Sequence, residues 1–96
     1  MKKLTTKEID QKLLSIKGWN YSDNKIQKEF TFTNFKEAFA MMTRIAFECE
    51  AHNHHPDWSN VYKKVHIALN THDAGGVTEK DFALANAIEK LVDDCK

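Results

Sequence analysis

The sequence predicts an α+β fold in which three helices pack on one face of a four-stranded antiparallel sheet, in the order α-β-β-α-β-β-α. Two segments alternate apolar and polar residues, as half-buried strands do. Three others have one apolar stripe at helical spacing, which needs a flat partner. Each of these three begins with a capping pair three residues apart, namely Thr5 with Glu8, Asn34 with Glu37 and Thr78 with Asp81.

The bulk composition limits the classes of function. A chain of 96 residues predicts a single domain over 1–96. Fourteen Lys and Arg residues balance fourteen Asp and Glu residues and are spread along the chain, which disfavours direct binding of nucleic acid. No signal-peptide pattern and no apolar run of membrane-spanning length is found, so we expect a cytoplasmic protein without a membrane partner.

The first half of the chain predicts a helix and a hairpin. The helix runs from about Thr6 to Ile16, and Gly18 ends it as a C-cap glycine. Apolar residues then alternate with polar ones on both sides of a Ser-Asp-Asn turn, which predicts two antiparallel strands. The apolar positions of this hairpin are Trp19, Tyr21, Ile26, Phe30 and Phe32.

The second half predicts two more helices and two more strands. A helix from Asn34 to about Glu50 has the apolar stripe Phe35, Phe39, Met42, Ile45, Ala46 and Cys49. A short strand near Trp58–Val61 and a long strand over Lys63–Asn70 follow. The long strand places Val65, Ile67, Leu69 and Thr71 on one face and His66, Ala68, Asn70 and His72 on the other. The last helix has the stripe Phe82, Ala85, Ile88, Val92 and Cys95.

Chemically active residues concentrate in the stretch "EAHNHHPDW", Glu50 to Trp58. His54 and His55 stand just before Pro56, which cannot continue a helix and favours an extended residue before it. We therefore expect the pair at a helix-to-strand corner with both rings aimed outward, where functional side chains are usually displayed.

Two chemistries compete for these histidines. A metal site needs three or four converging ligands; His52 and His54 could supply two, but candidates for a third are dispersed and both cysteines lie in predicted helices. General acid/base catalysis needs only imidazoles that titrate near neutrality, each held by a partner, and Glu50 could orient such a ring. The residues therefore favour acid/base chemistry.

Two further residues have both a structural and a functional interpretation. Trp58 on a strand is most often a core residue, but it could also form the wall of a pocket for a flat ring. Asp81 completes a capping box opened by Thr78, and it could contribute to a site as well. Two glycines between His72 and Asp81 predict a tight turn where backbone amides could approach a ligand.

The pattern Glu50-x-x-x-His54-His55-Pro56-x-Trp58-x-x-x-Tyr62, followed by His66, His72 and Asp81, resembles the pterin-4a-carbinolamine dehydratases. The animal members are also known as dimerisation cofactors of a homeodomain transcription factor. The resemblance extends without an obvious gap from Phe30 to Leu91. It departs from the family pattern at Asn53, where many members have an acidic residue, and an amide cannot stabilise an imidazolium by charge.

The resemblance implies a hydro-lyase that dehydrates 4a-hydroxytetrahydropterin to quinonoid dihydropterin and water, in the recycling of tetrahydrobiopterin. It implies a homodimer or homotetramer, and no metal or redox cofactor. The alternative that it implies is a non-catalytic, protein-binding dimerisation cofactor in transcription. The implied catalytic residues are His54, His55 and His72, and the implied substrate-binding residues are Glu50, Asn53, Pro56, Trp58, Thr71, Asp73, Ala74 and Asp81.

Overall fold

A computed structural model describes residues 1–94, so the predicted place of Cys95 on the last helix lies outside the described residues. Within 1–94, three helices and four strands follow one another in the predicted order, which confirms the fold class. They are α1 (Thr6–Leu13), β1 (Asn20–Ser22), β2 (Lys25–Thr31), α2 (Phe35–His52), β3 (Asp57–Val61), β4 (Lys64–Leu69) and α3 (Glu79–Asp94), with a 3₁₀ turn at His72–Ala74 before α3.

The strands form one antiparallel sheet in the order β1-β2-β4-β3. The first hairpin turns through Asp23 and Asn24, whose φ angles of 54° and 61° are those that a type I′ turn requires. Leu69 at the end of β4 pairs with Ile26, and Ala68 pairs with Asp57 at the start of β3. The residues that precede β2, precede β3 and follow β4 therefore meet at one end of the sheet.

One face of the sheet and the helices form the core. The sheet supplies Ile26, Phe30, Val65, Ile67 and Leu69, and the alternation predicted for β4 is confirmed on this face. The helices supply Ile9, Ala38, Met41, Ile45, Cys49, Phe82, Leu84, Ala85 and Ile88. Burying each large aliphatic side chain contributes about 1.5–3 kcal/mol, so this layer holds the helices against the sheet.

The first helix is shorter than predicted. It ends at Leu13, with Leu14 as its C-cap, and the amides of Leu14, Ser15 and Ile16 each donate to the carbonyl three residues earlier. These i→i−3 bonds tighten the chain into turns before Gly18, whose φ of 86° belongs to a later bend. Ile16 is nevertheless buried, because the turns keep it against the core.

The buried face of α2 differs from the predicted stripe. Ile45 and Cys49 are buried as predicted, but Ala38 and Met41 complete the buried row. Phe35 and Phe39 are 49% and 56% exposed, so the prediction was wrong for these two residues. The helix has two apolar stripes. The stripe of Ala38, Met41, Ile45 and Cys49 packs against the core, because the small side chain of Ala38 lets this side of the helix approach closely. The second stripe, Phe35, Phe39 and Phe47, is left uncovered in this chain.

The helices α1, α2 and α3 differ from membrane-spanning helices. Within residues 1–94, none of them combines the length and the apolar character needed to cross a bilayer.

Candidate active site

Two loops meet at the end of the sheet where β3 starts and β4 stops. The first loop, residues 53–56, connects α2 to β3, and the second, residues 70–78, connects β4 to α3. Asn53 ends α2 with φ 50° and ψ 45°, a left-handed conformation that Asn tolerates better than most residues. This C-cap turns the chain sharply, so that His54 and His55 leave the helix in different directions.

His54 points into the protein. Its amide donates to the carbonyl of Cys49 at 2.9 Å, which closes the end of the helix. Its side chain is only 9% exposed, and Nε2 lies 2.5 Å from Oδ1 of Asp81. The expectation that both rings of the pair aim outward is therefore wrong for His54, because a carboxylate on α3 draws this ring inward.

Asp81 holds His54 and caps α3 at the same time. Its side chain is fully buried, and its second oxygen, Oδ2, accepts from the Thr78 amide at 2.8 Å and from the Thr71 hydroxyl at 2.9 Å. The predicted capping pair is confirmed in this half, while the Thr78 hydroxyl accepts from the amide of Lys80 at 3.2 Å. An anion at a helix N-terminus is also stabilised by the helix dipole.

The contact with Asp81 fixes the tautomer of the His54 ring. A carboxylate only accepts hydrogen bonds, so Nε2 carries the hydrogen, and in the neutral ring Nδ1 keeps a lone pair. Within residues 1–94, every buried side-chain nitrogen and oxygen has a hydrogen-bond partner, and Nε2 is the ring atom of His54 that makes one. Nδ1 is therefore the ring atom that faces the cleft.

His55 and His72 are exposed. Nε2 of His55 lies 2.5 Å from Oε2 of Glu50, one helical turn back on α2, and the two side chains are 61% and 74% exposed. His72 opens the 3₁₀ turn, and the Thr71 amide fixes this turn by donating to the carbonyl of Gly76 at 2.8 Å. Gly75, with a φ of 77°, ends the turn in a conformation that favours glycine.

All three predicted catalytic histidines line one cleft of about 570 Å³. Four other predicted site residues line it as well, namely Asn53, Pro56, Thr71 and Asp73. Glu50 and Asp81 hold two of the histidines from outside the lining, and Ala74 is half-buried in the 3₁₀ turn without lining the cleft. Trp58 packs against the core on the face of the sheet that the helices cover, and it is not part of the lining of this cleft.

The cleft also has lining residues that the sequence did not indicate. The Lys25 ammonium donates to Oδ2 of Asp57 at 2.8 Å, and Lys80 donates to the carbonyl of Asn53 at 3.0 Å. The hydrogen bond with Asp57 raises the pKa of Lys25, and the same bond lowers the pKa of Asp57. Ala68 and Asn70 form the floor. No local motif marks these residues, because only the strand order, in which β4 lies between β2 and β3, brings Lys25 near Asp57.

Cys49, a buried thiol on α2 close to the site, is not an activated nucleophile. Burial raises the pKa of Cys49 to about 11, which keeps it protonated and unreactive at neutral pH. Among residues 1–94, no group of three or more His, Cys, Asp and Glu side chains is placed to hold a metal ion.

Comparison with known proteins identifies the family. Residues 2–91 match the family of pterin 4 alpha carbinolamine dehydratases. The chain belongs to this family. It is 57% identical to a relative in Christiangramia forsetii that is assigned by name to the pterin-4-alpha-carbinolamine dehydratases, over 97% of this chain and 96% of that one. A relative of the same name in Prochlorococcus marinus is 51% identical over 94% of both chains.

A solved structure of the same family has the same fold. The Brucella melitensis protein, described as a transcriptional coactivator/pterin dehydratase, superposes with a TM-score of 0.89 at 35% identity, over 93% of this chain and 97% of that one. In the chain described here, the sheet register and the contact with Asp81 place His54 and His55, before β3, and His72, after β4, on one cleft.

Proposed function

We propose that this chain dehydrates 4a-hydroxytetrahydropterins to quinonoid dihydropterins and water by histidine acid/base catalysis. The observation that carries the proposal is the convergence of His54, His55 and His72 on one cleft, with the His54 ring fixed by a buried carboxylate. The cleft volume of about 570 Å³ is within the range of small-molecule sites. A role in pterin recycling after an aromatic amino-acid hydroxylase, in the cytoplasm, is part of the same proposal.

The reaction needs a base that reaches the hydrogen on N5 and an acid that reaches the hydroxyl on C4a. The base removes the proton from N5, and the electron pair of the N5–H bond forms a double bond to C4a. The C4a–O bond breaks, and the hydroxyl leaves as water with a proton from the acid. The net change is the transfer of one proton and the loss of water, with no change of oxidation state. Each well-placed proton transfer contributes about 10²–10⁴-fold.

The tautomer of His54 makes it the better candidate for the base. Its Nδ1 lone pair faces the cleft, and the charge of Asp81 stabilises the imidazolium that forms when Nδ1 accepts a proton. His55 and His72 are candidates for the acid, because both are exposed at the cleft and can exchange protons with solvent. Asn53 contributes through its backbone, whose left-handed turn aims the pair.

The activity is tested by adding purified protein to chemically generated 4a-hydroxytetrahydropterin and following the ultraviolet change. We expect acceleration over buffer, and a loss of about 10²–10⁴-fold in His54→Ala and tens- to thousands-fold in His55→Ala or His72→Ala. His52→Ala is the matched control: this ring pairs with Glu48 at 3.4 Å and does not line the cleft, so its activity stays at the wild-type level. No acceleration by the wild type would overturn the proposal.

We further propose that the chain forms homodimers or homotetramers through the exposed stripe of α2, Phe35, Phe39 and Phe47. An uncovered aromatic stripe on a helix is unusual for a monomer. Phe39→Glu should shift the mass in light scattering towards the monomer, whereas Phe39→Leu keeps the wild-type mass. A wild type that is monomeric at micromolar concentration would contradict this. A protein-binding role in transcription, as the description of the Brucella protein suggests for that protein, would use the same surface.

A further inference from the structure

Two hydroxyl groups lie behind Asp81, at the carboxylate oxygen that does not contact His54. The hydroxyl oxygen of Thr71 is 2.9 Å from Oδ2 of Asp81 and 2.7 Å from the hydroxyl oxygen of Thr78. Thr71 is half-buried and lines the cleft, whereas Thr78 is fully buried and does not line it. The hydroxyl pair, Thr71 and Thr78, therefore joins the cleft to a group that a molecule in the cleft does not touch.

The direction of each hydrogen bond follows from the donors and acceptors that are present. A carboxylate only accepts, so the Thr71 hydroxyl gives its one hydrogen to Asp81. The contact within the hydroxyl pair then takes its hydrogen from Thr78, whose oxygen accepts in turn from the Lys80 amide at 3.2 Å. The bonds thus run from the start of α3 through both hydroxyls to Oδ2 of Asp81, while Nε2 of His54 contacts Oδ1.

Thr78 determines where the Thr71 hydrogen points. The Thr71 hydroxyl borders the cleft, so its hydrogen can point either to Asp81 or into the cleft. The bond from Thr78 occupies a lone pair of the Thr71 oxygen, and a hydroxyl that accepts a hydrogen bond becomes a stronger donor. The Thr78 hydroxyl therefore favours the orientation in which Thr71 donates to Asp81.

The backbone around the hydroxyl pair is fixed by other hydrogen bonds. The Thr71 amide donates to the carbonyl of Gly76 at 2.8 Å, and the Thr71 carbonyl accepts from the Ala74 amide at 3.0 Å. The Thr78 amide donates to Oδ2 of Asp81 at 2.8 Å. Loss of the Thr78 hydroxyl is therefore expected to turn the Thr71 hydroxyl without moving the chain.

The aim of the His54 ring depends on the hydroxyl pair through Asp81. Oδ2 of Asp81 accepts from two donors, the Thr71 hydroxyl and the Thr78 amide. When the Thr71 hydrogen turns into the cleft, Oδ2 keeps only the amide, and the carboxylate is held less firmly. The His54 ring is then aimed less precisely at a ligand, because it is hydrogen-bonded to the other oxygen of this carboxylate.

We propose that Thr78 is a positioning residue for the dehydration, whose hydroxyl acts through Thr71 and Asp81 to hold the His54 ring. This inference rests on the proposed function and adds a buried residue to the same site. It also assigns the Thr71 hydrogen to Asp81, so that Thr71 offers a ligand in the cleft a lone pair and not a hydrogen.

The kinetic test uses Thr78→Val, which removes the hydroxyl and keeps a branched side chain. We expect kcat for a 4a-hydroxytetrahydropterin to fall about three- to tenfold, in line with one neutral hydrogen bond, and KM to change by less than about twofold. KM is spared because Thr78 does not line the cleft. Thr78→Ser retains the hydroxyl and should keep kcat within about twofold of the wild type.

Thr5→Val is the matched control for the loss of a helix cap. The Thr5 hydroxyl also accepts from a helix amide at 3.2 Å, that of Glu8, but Thr5 does not line the cleft. This variant should lose stability and keep the wild-type kcat. A Thr78→Ser variant that is as slow as Thr78→Val would overturn the inference and leave Thr78 as a cap of α3.

A double variant tests whether the two hydroxyls act in series. Thr71→Val removes the donor to Asp81 itself, so the Thr78 hydroxyl then has no group through which to act. The double variant Thr71→Val, Thr78→Val should therefore have the kcat of Thr71→Val alone, to within about twofold. Two separate losses that multiply in the double variant would contradict the inference.

Proton NMR gives a readout that does not depend on turnover. The Thr71 hydroxyl proton should exchange slowly with water in the wild type and in Thr78→Ser, because it is held by Asp81, and rapidly in Thr78→Val. Equal protection in Thr78→Val would overturn the inference. A wild type that shows this difference in exchange but has no dehydratase activity would refute the proposed function alone.

Discussion

His54 and His55 are neighbours in sequence, and each has a carboxylate oxygen 2.5 Å from Nε2, yet the two pairs lie in opposite environments. The His54–Asp81 pair has side-chain exposures of 9% and 0%, and it joins two separate elements of the fold. The His55–Glu50 pair has exposures of 61% and 74%, and it joins a helix to the loop that follows it. The same contact therefore has different consequences in the two places.

The difference shows that the surroundings of a carboxylate decide what it does to a histidine. Asp81 cannot turn away, because the Thr78 amide and the Thr71 hydroxyl hold its second oxygen. Water has little access to this pair, so the charge of Asp81 is screened less than that of an exposed carboxylate. Glu50 is surrounded by water and salt, and its contact with His55 competes with hydration. We infer that Asp81 fixes a tautomer and Glu50 only biases a rotamer.

The largest effect is expected for Asp81→Asn. The amide can donate to Nε2 of His54, which then needs a lone pair there, so the hydrogen moves to Nδ1 and the cleft faces a donor instead of a base. Dehydratase kcat should fall by about 10²–10⁴-fold. Stability should fall by about 1–3 kcal/mol, because the three charge-assisted hydrogen bonds to the carboxylate become neutral ones.

Two measurements separate these effects. Thermal unfolding gives the stability change, at about 4–8 °C for each kcal/mol in a domain of this size. The ¹⁵N chemical shifts of the His54 ring give the tautomer at a temperature where the variant is folded. Unchanged shifts together with wild-type activity would show that Asp81 is a structural cap and that the two histidine pairs do not differ in function.

The local parts of this architecture could be predicted from the sequence. The Thr5 hydroxyl and the Glu8 carboxylate form the capping box, and the Asn34 side chain accepts from the Glu37 amide at 2.9 Å. Such signals depend on residues three positions apart, so they do not require knowledge of the fold. The site residues themselves came from the histidine motif and from the family resemblance.

The rest depends on which segments become neighbours in space. The spacing of apolar residues along α2 did not show which of its two apolar stripes faces the core. That choice depends on how closely the small Ala38 lets the helix approach the sheet. The place of Lys25 at the cleft depends on the insertion of β4 between β2 and β3, which no local pattern shows. The inward direction of His54 likewise requires Asp81, 27 positions away.

The smallest effect is expected for Glu50→Gln, and its dependence on salt sharpens the comparison. Stability should change by less than about 0.5 kcal/mol, because exposed pairs contribute little. At low ionic strength, kcat/KM should fall about two- to fivefold, since the His55 ring loses a charged partner that biases its orientation.

Raising the salt concentration separates the two carboxylates. In about 1 M salt the Debye length shrinks to about 3 Å, so wild type and Glu50→Gln should converge in activity, whereas the deficit of Asp81→Asn should persist because its surroundings exclude ions. The ratio of each variant to wild type, measured at several salt concentrations, tests this directly. A salt-independent deficit in Glu50→Gln would mean that Glu50 is shielded when substrate binds, and the two carboxylates would then act on their histidines in the same way.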